Sequence, residues 1–155
     1  MNKIELIKLT ILKKLPYNLV QTMQNVNFEK IEEIRIRANK PVILKMGINE
    51  LILKYEVTTE EIINILQNFC DNSIYTYQNQ ICSGFLTIPG GHRIGISGSC
   101  VIKEGKVTNI NNLYSLNIRI AKEIKDCSNI ILPYVINSEQ KNIYNTLIVS
   151  PPGAR

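Results

Sequence analysis

The chain has 155 residues, 45% hydrophobic and 20% charged, which suits one domain with a core of its own, or one domain and a stub. The formal net charge of +5 admits anionic partners such as nucleotide, nucleic acid or an acidic membrane face, and a lysine-rich solvated surface accounts for it equally well. No apolar run approaches the roughly 20 residues of a membrane-spanning helix, and Glu5 and Lys8 interrupt the first apolar stretch, as a signal peptide would not.

Ile4, Ile7, Ile11 and Leu15 recur at helical spacing with lysines around the other face, and Pro16 ends that helix. Such a basic amphipathic segment packs on a domain body or lies against a partner or membrane surface. Residues 33–37, Glu-Ile-Arg-Ile-Arg, alternate polar and apolar as a strand buried on one face. Arg35 and Arg37 then share its polar side, solvated, paired within the sheet or turned to another subunit. Asn39-Lys40-Pro41 breaks the chain, 42–46 is a second strand, 47–50 a turn and 51–55 a third strand. Thr58 or Thr59 caps the next helix, whose first turn holds Glu60 and Glu61 and whose stripe is Ile62, Ile63, Leu66 and Phe69. A further helix is predicted over 74–81.

Six of the eight glycines lie between Gly84 and Gly105. Residues 85–88 read as a strand, Pro89-Gly90-Gly91 as a tight turn, and 92 to about 101 as a strand whose glycines mark a bulge or a close backbone approach. Residues 103–106 turn the chain into 107–109, and 116–120 is another alternating strand. His92, the only histidine, has no nucleophile or acid near it in sequence and is expected to hydrogen-bond near a turn. Beyond about 122–128 the pattern changes, with a short helix over about 128–136 that contains Pro133. Cys70, Cys82, Cys100 and Cys127 lack the spacing of zinc ligands, so no metal site is expected. They read as small core residues of a cytoplasmic protein.

Residues 145–150 read as a buried strand that runs into Ser150-Pro151-Pro152-Gly153-Ala154-Arg155. A strand followed by such a loop suits the start of a phosphate-binding loop, in which backbone N–H groups cradle phosphates ahead of a Lys-Ser/Thr pair. In the pattern G-x-x-x-x-G-K-[ST] the two glycines fall on Ser150 and Arg155, and both depart from it. The candidate nucleotide-binding residues are thus Ser150, Pro151, Pro152, Gly153 and Ala154. A rival reading makes Gly90-Gly91-His92-Arg93 a glycine loop that grips a nucleic-acid backbone.

The order of these segments resembles the N-terminal domain of the type II/IV secretion ATPases, which include the pilus-retraction motors. It resembles more closely the stage III sporulation protein AA family of spore-forming bacteria. The likeness rests on residues 33–42, 58–62, 89–98, 115–121, 131–133 and 146–153, taken in order. It implies an α/β (α+β) fold with a mostly antiparallel sheet of five or six strands and flanking helices, PAS-like, followed by the first strand of a P-loop domain. The domains implied are 1–122, a linker with a short helix over 123–144, and the partial P-loop over 145–155. The resemblance further implies a regulatory and assembly domain of a sporulation ATPase, with ATP and Mg²⁺ bound by the full-length protein, no cofactor in this chain alone, and ATP bound by it poorly or not at all and not turned over. Implied partners are further copies in a hexameric ring and membrane proteins of a sporulation channel, not nucleic acid. The implied location is the cytoplasm, peripheral at the membrane on the mother-cell side. In the family, arginines of this domain reach the nucleotide's γ-phosphate, and by position these are Arg93 and Arg119, whose forked guanidinium groups suit that role.

Overall fold

Alternating side chains decide the architecture, and a computed structural model shows how, describing residues 3–122, 126–137 and 141–150. The strands β1 (Glu33–Arg37), β2 (Pro41–Met46), β3 (Asn49–Glu56), β4 (Phe85–Ile88), β5 (His92–Lys103) and β6 (Lys106–Arg119) form one sheet. Its order is β3-β2-β1-β6-β5-β4, and every pairing is antiparallel. The fold is therefore α+β with an antiparallel sheet. Leu44, Ile34, Ile118, Ile94 and Leu86 stand in register on adjacent strands, all fully buried, and form the central row of the core. Because side chains alternate along a strand, the neighbours of these residues point to the opposite, polar face.

Helices close the apolar face. Ile7, Ile11, Leu15, Leu19 and Met23 are all buried at four-residue intervals, across α1 (Lys3–Thr10), a 3₁₀ turn (Leu12–Lys14) and α2 (Tyr17–Thr22). The single helix predicted up to Leu15 is thus divided, and α2 was not predicted. Leu15 is extended (φ −92°, ψ 154°) because the residue before a proline is pushed out of the helical region, and Pro16 then opens the next helix. The α3 helix (Thr59–Phe69) starts on a capping box: the Thr58 hydroxyl accepts the Glu61 N–H, and the Glu61 carboxylate accepts the Thr58 N–H at 2.9 Å. It buries Ile62, Ile65, Leu66 and Phe69. The helix predicted over 74–81 is a 3₁₀ turn (Ile74–Tyr77) that leads into α4 (Gln78–Cys82).

The β6 strand is continuous where two strands were predicted, because its polar run pairs with the outer half of β5. At Gly98 the register shifts, and a Cβ there would lie 2.6 Å from Ile110 Cγ2 and 2.7 Å from the Asn111 carbonyl oxygen, so the strands pack this closely only around a glycine. Of the cysteines, Cys70 is buried, and burial, followed by the charge of Asp71, pushes its thiol up to about 11. Cys100 and Cys127 are exposed, contrary to the core reading, because they occupy the outer hairpin and a turn.

The chain divides into two compact units, Met1–Ala121 and Lys122–Arg155. In the second, α5 (Leu132–Val135) is a single turn, shorter than predicted. Pro133 lacks the N–H that a helix interior needs and is tolerated only in a first turn. A two-residue ribbon follows, β7 (Ile136–Asn137) with β8 (Asn142–Ile143). The buried strand expected at 145–150 is not formed: Leu147, Ile148 and Val149 are 86%, 64% and 85% exposed, and no described residue pairs with them. A strand exists through its ladder, and no described residue offers this apolar run one. Residues 151–155 lie outside the described residues.

Candidate functional site

The polar face of the sheet is organised in rows set by strand register. Lys45, Glu33, Arg119, Arg93 and Thr87 stand side by side across β2, β1, β6, β5 and β4. Two residues along each strand lies a second row of Ile43, Arg35, Asn117, Gly95 and Phe85. Arg93 and Arg119, far apart in sequence, are therefore direct cross-strand partners. Like charges in that position repel and destabilise a sheet unless something neutral or anionic intervenes.

Each arginine is held differently. The Arg93 guanidinium lies over the Phe85 ring, 3.7 Å from its centroid, and among the described residues it has no carboxylate partner. Arg119 reaches Glu33 only at 3.9 Å, Nε to Oε2, and its side chain is 69% exposed. Glu33 is mainly engaged elsewhere: Arg35 Nε donates to Glu33 Oε1 at 2.5 Å and Arg35 Nη1 to Glu50 Oε1 at 2.6 Å. Arg35 thus pairs within the sheet, whereas Arg37 is exposed. Among the described residues, none neutralises Arg93 or Arg119 at close range.

Burial pushes the Glu33 carboxyl up, but the Arg35 hydrogen bond and charge, an Asn117 hydrogen bond and the Arg119 charge outweigh it and hold the group below the usual carboxylate range. A lowered folded pKa stabilises the fold above the ordinary carboxylate range, and that contribution is lost as pH falls through the lowered value. Glu33→Gln is accordingly expected to cost about 1 kcal/mol near pH 7. In urea denaturation the gap to the parent should close in acid, and a constant gap from neutral to acid pH would contradict this assignment.

Beside the arginines is a depression of about 260 Å³, lined by Gly84, Phe85, Arg93, Gly95, Asn117 and Arg119. Gly95 keeps it open: a Cβ there would touch Asn117 Cβ at 3.7 Å, and any larger side chain would extend into the space. The buried Asn117 Oδ1 has no hydrogen-bond partner among the described residues. A guanidinium with no described carboxylate partner, a second only loosely paired with Glu33, an aromatic wall and a gap with no side chain can accept a compact, highly charged anion, which would relieve the repulsion of the pair. The family resemblance pointed to Arg93 and Arg119, which the register brings together, and gave no pointer to Glu33, Phe85, Gly95 or Asn117 beside them. The signal for them was the two-residue spacing of Gly95 from Arg93 and of Asn117 from Arg119 on alternating strands.

The other expected residues fall outside this cluster. Ser150 is exposed in the second unit, and Pro151, Pro152, Gly153 and Ala154 lie outside the described residues. His92 is 2% exposed, and its Nδ1 accepts the Ala121 N–H at 3.0 Å, in keeping with a ring bonded near a turn. Of the Gly90-Gly91-His92-Arg93 loop, Gly90, Gly91 and Arg93 are exposed and the His92 ring is buried. No helix among the described residues is long and apolar enough to cross a membrane.

Comparison with known proteins places this geometry in context. The family model for sporulation stage III, protein AA, matches residues 2–155. Stage III sporulation protein AA of Bacillus subtilis (strain 168) is 35% identical over 135 residues, covering 87% of this chain and 43% of that protein. The chain thus spans less than half the length of this curated relative. Among solved structures, the VirB11 ATPase from the Brucella suis type IV secretion system, in complex with sulphate, matches with a TM-score of 0.43 and 15% identity, over 81% of this chain and 35% of that one. On the match along nearly its whole length, the chain belongs to the sporulation stage III protein AA family.

Proposed function

We propose that this chain is the N-terminal regulatory and assembly module of a secretion-type P-loop ATPase of sporulation, and that Arg93 and Arg119 hold the terminal phosphate of ATP. The observation that carries this reading is the cross-strand arginine pair beside the gap at Gly95. Two like charges are tolerated face to face where an anion is to be shared, and forked guanidinium groups match phosphate oxygens. ATP supplies the transferable phosphoryl group, while the arginines bind and orient it. In this reading Ser150, Pro151, Pro152, Gly153 and Ala154 begin the loop that cradles the other phosphates in the complete protein. Among the described residues no three His, Cys, Asp or Glu side chains converge on a point where Mg²⁺ could sit, so no step here runs through the ion.

The complete protein would work as a homo-oligomeric ring, hexameric by family resemblance, at the cytoplasmic face of a sporulation channel on the mother-cell side. This chain alone would not hydrolyse ATP.

Calorimetric titration of residues 1–155 with inorganic triphosphate tests the reading. The arginine pair supplies only part of the nucleotide site, so binding weak but saturable is expected at low salt, weakening as salt rises and lost when Arg93 and Arg119 are both replaced by alanine. Absence of saturable binding, or undiminished binding in the double variant, would overturn it.

A further inference from the structure

The arginines absorb only part of the Pro89-Gly90-Gly91-His92-Arg93 motif. We infer that His92 is a positioning residue: its imidazole ties the chain's exit at Ala121 to the strand that carries Arg93, so that the arginine pair and the end of the sheet's last strand move together. The function of that coupling rests on the phosphate reading above, whereas the tie itself rests on geometry alone.

The antiparallel register places Arg93 opposite Arg119, and by continuation Gly91 opposite Ala121. At that point the strand is already turning away through Gly90 and Gly91, with φ of 91° and 76°. Ile120 N–H is taken by the Glu32 carbonyl oxygen on the β1 side at 2.8 Å. Ala121 N–H points the other way, and His92 Nδ1 accepts it at 3.0 Å. The side chain thus supplies a rung that the backbone of the turning strand does not. An imidazole that accepts at Nδ1 is neutral and carries its proton on Nε2.

Gly90 explains why the motif begins as it does. A Cβ at residue 90 would lie 2.7 Å from His92 Nε2 and 3.1 Å from its Cδ2, inside van der Waals contact, so the ring can seat only beside a glycine. The residues of the motif then divide the work among them. Gly90 makes room, His92 turns inward and holds Ala121, and Arg93 turns outward to the depression. Arg119 is two residues before the tied amide, so the tie anchors the last stretch of β6 beside the pair. Lys122, the next residue, opens the second unit.

The experiment is amide hydrogen exchange on residues 1–155, read residue by residue, together with triphosphate titration of the same samples. In His92→Phe, which fills the space without an acceptor, the Ala121 amide should exchange on the order of tenfold faster while Ile94 and Ile118 stay protected. Triphosphate affinity should fall several-fold. His92→Asn places its Oδ1 near the position of Nδ1 and should restore both readouts. Gly90→Ala, which displaces the ring while keeping it and also strains a backbone held at φ 91°, should expose the Ala121 amide as His92→Phe does, and it serves as the test should His92→Phe not fold. An Ala121 amide that stays protected in His92→Phe or Gly90→Ala, or an asparagine variant that behaves like phenylalanine, would overturn the inference. Loss of Ala121 protection with unchanged triphosphate affinity would overturn the coupling. If the parent chain bound no triphosphate, the phosphate reading would fall by itself, and the exchange data would still decide the role of His92.

Discussion

Ile118→Ala is expected to lower the stability of this chain by about 2–5 kcal/mol. Ile118 is fully buried, flanked in register by Ile34 on one side and Ile94 on the other, both fully buried as well. It sits on the strand that joins the two halves of the sheet, with β1, β2 and β3 to one side and β5 and β4 to the other. Removing three carbon atoms there loses their transfer free energy and leaves a cavity that two strands fixed by ladder hydrogen bonds cannot close. Chemical denaturation measures the loss, with Ile48→Ala as the control, since Ile48 is fully exposed and should change stability by less than about 0.5 kcal/mol. A loss under about 1 kcal/mol at Ile118 would mean that this row is not the centre of the core.

The second large effect concerns chemistry. If the complete protein is the ATPase proposed above, replacing Arg93 and Arg119 both by alanine should lower its ATP turnover on the order of a thousandfold, the scale of an arginine that stabilises charge on a transferring phosphoryl group. The fold should persist, because both side chains lie on the polar face and neither makes a close ion pair with a described residue. Arg119→Lys should recover only part of the rate: it keeps the charge and loses the fork that engages two oxygens at once. Arg93→Lys should be the poorer substitute of the two, because the planar guanidinium also stacks on Phe85 and a compact ammonium does not.

Much of this arrangement was legible in the sequence, for reasons that particular residues make plain. Glu33-Ile34-Arg35-Ile36-Arg37 could be read as a half-buried strand because its two-residue alternation is local. Thr58 and Glu61 could be read as a helix start because a capping box is complete within four residues. What failed depended on distant partners. The polar run Asn109-Ile110-Asn111-Asn112 has little strand character of its own and extends as β6 because it pairs with the outer half of β5. Leu147-Ile148-Val149 has strong strand character and forms none, since no described neighbour completes its ladder. The same distinction divides the site. The arginines are conspicuous as residue types, but their meeting beside a gap at Gly95, with Phe85 and Asn117 as walls, is a consequence of register that no local pattern encodes.

The most direct measurement of the central claim is ATP turnover by the complete protein, with parent and Arg93→Ala/Arg119→Ala double variant assayed side by side at saturating nucleotide. A rate lower on the order of a thousandfold in the double variant, with the fold intact by circular dichroism, is the result predicted here. A double variant that turns over ATP as fast as the parent would contradict it.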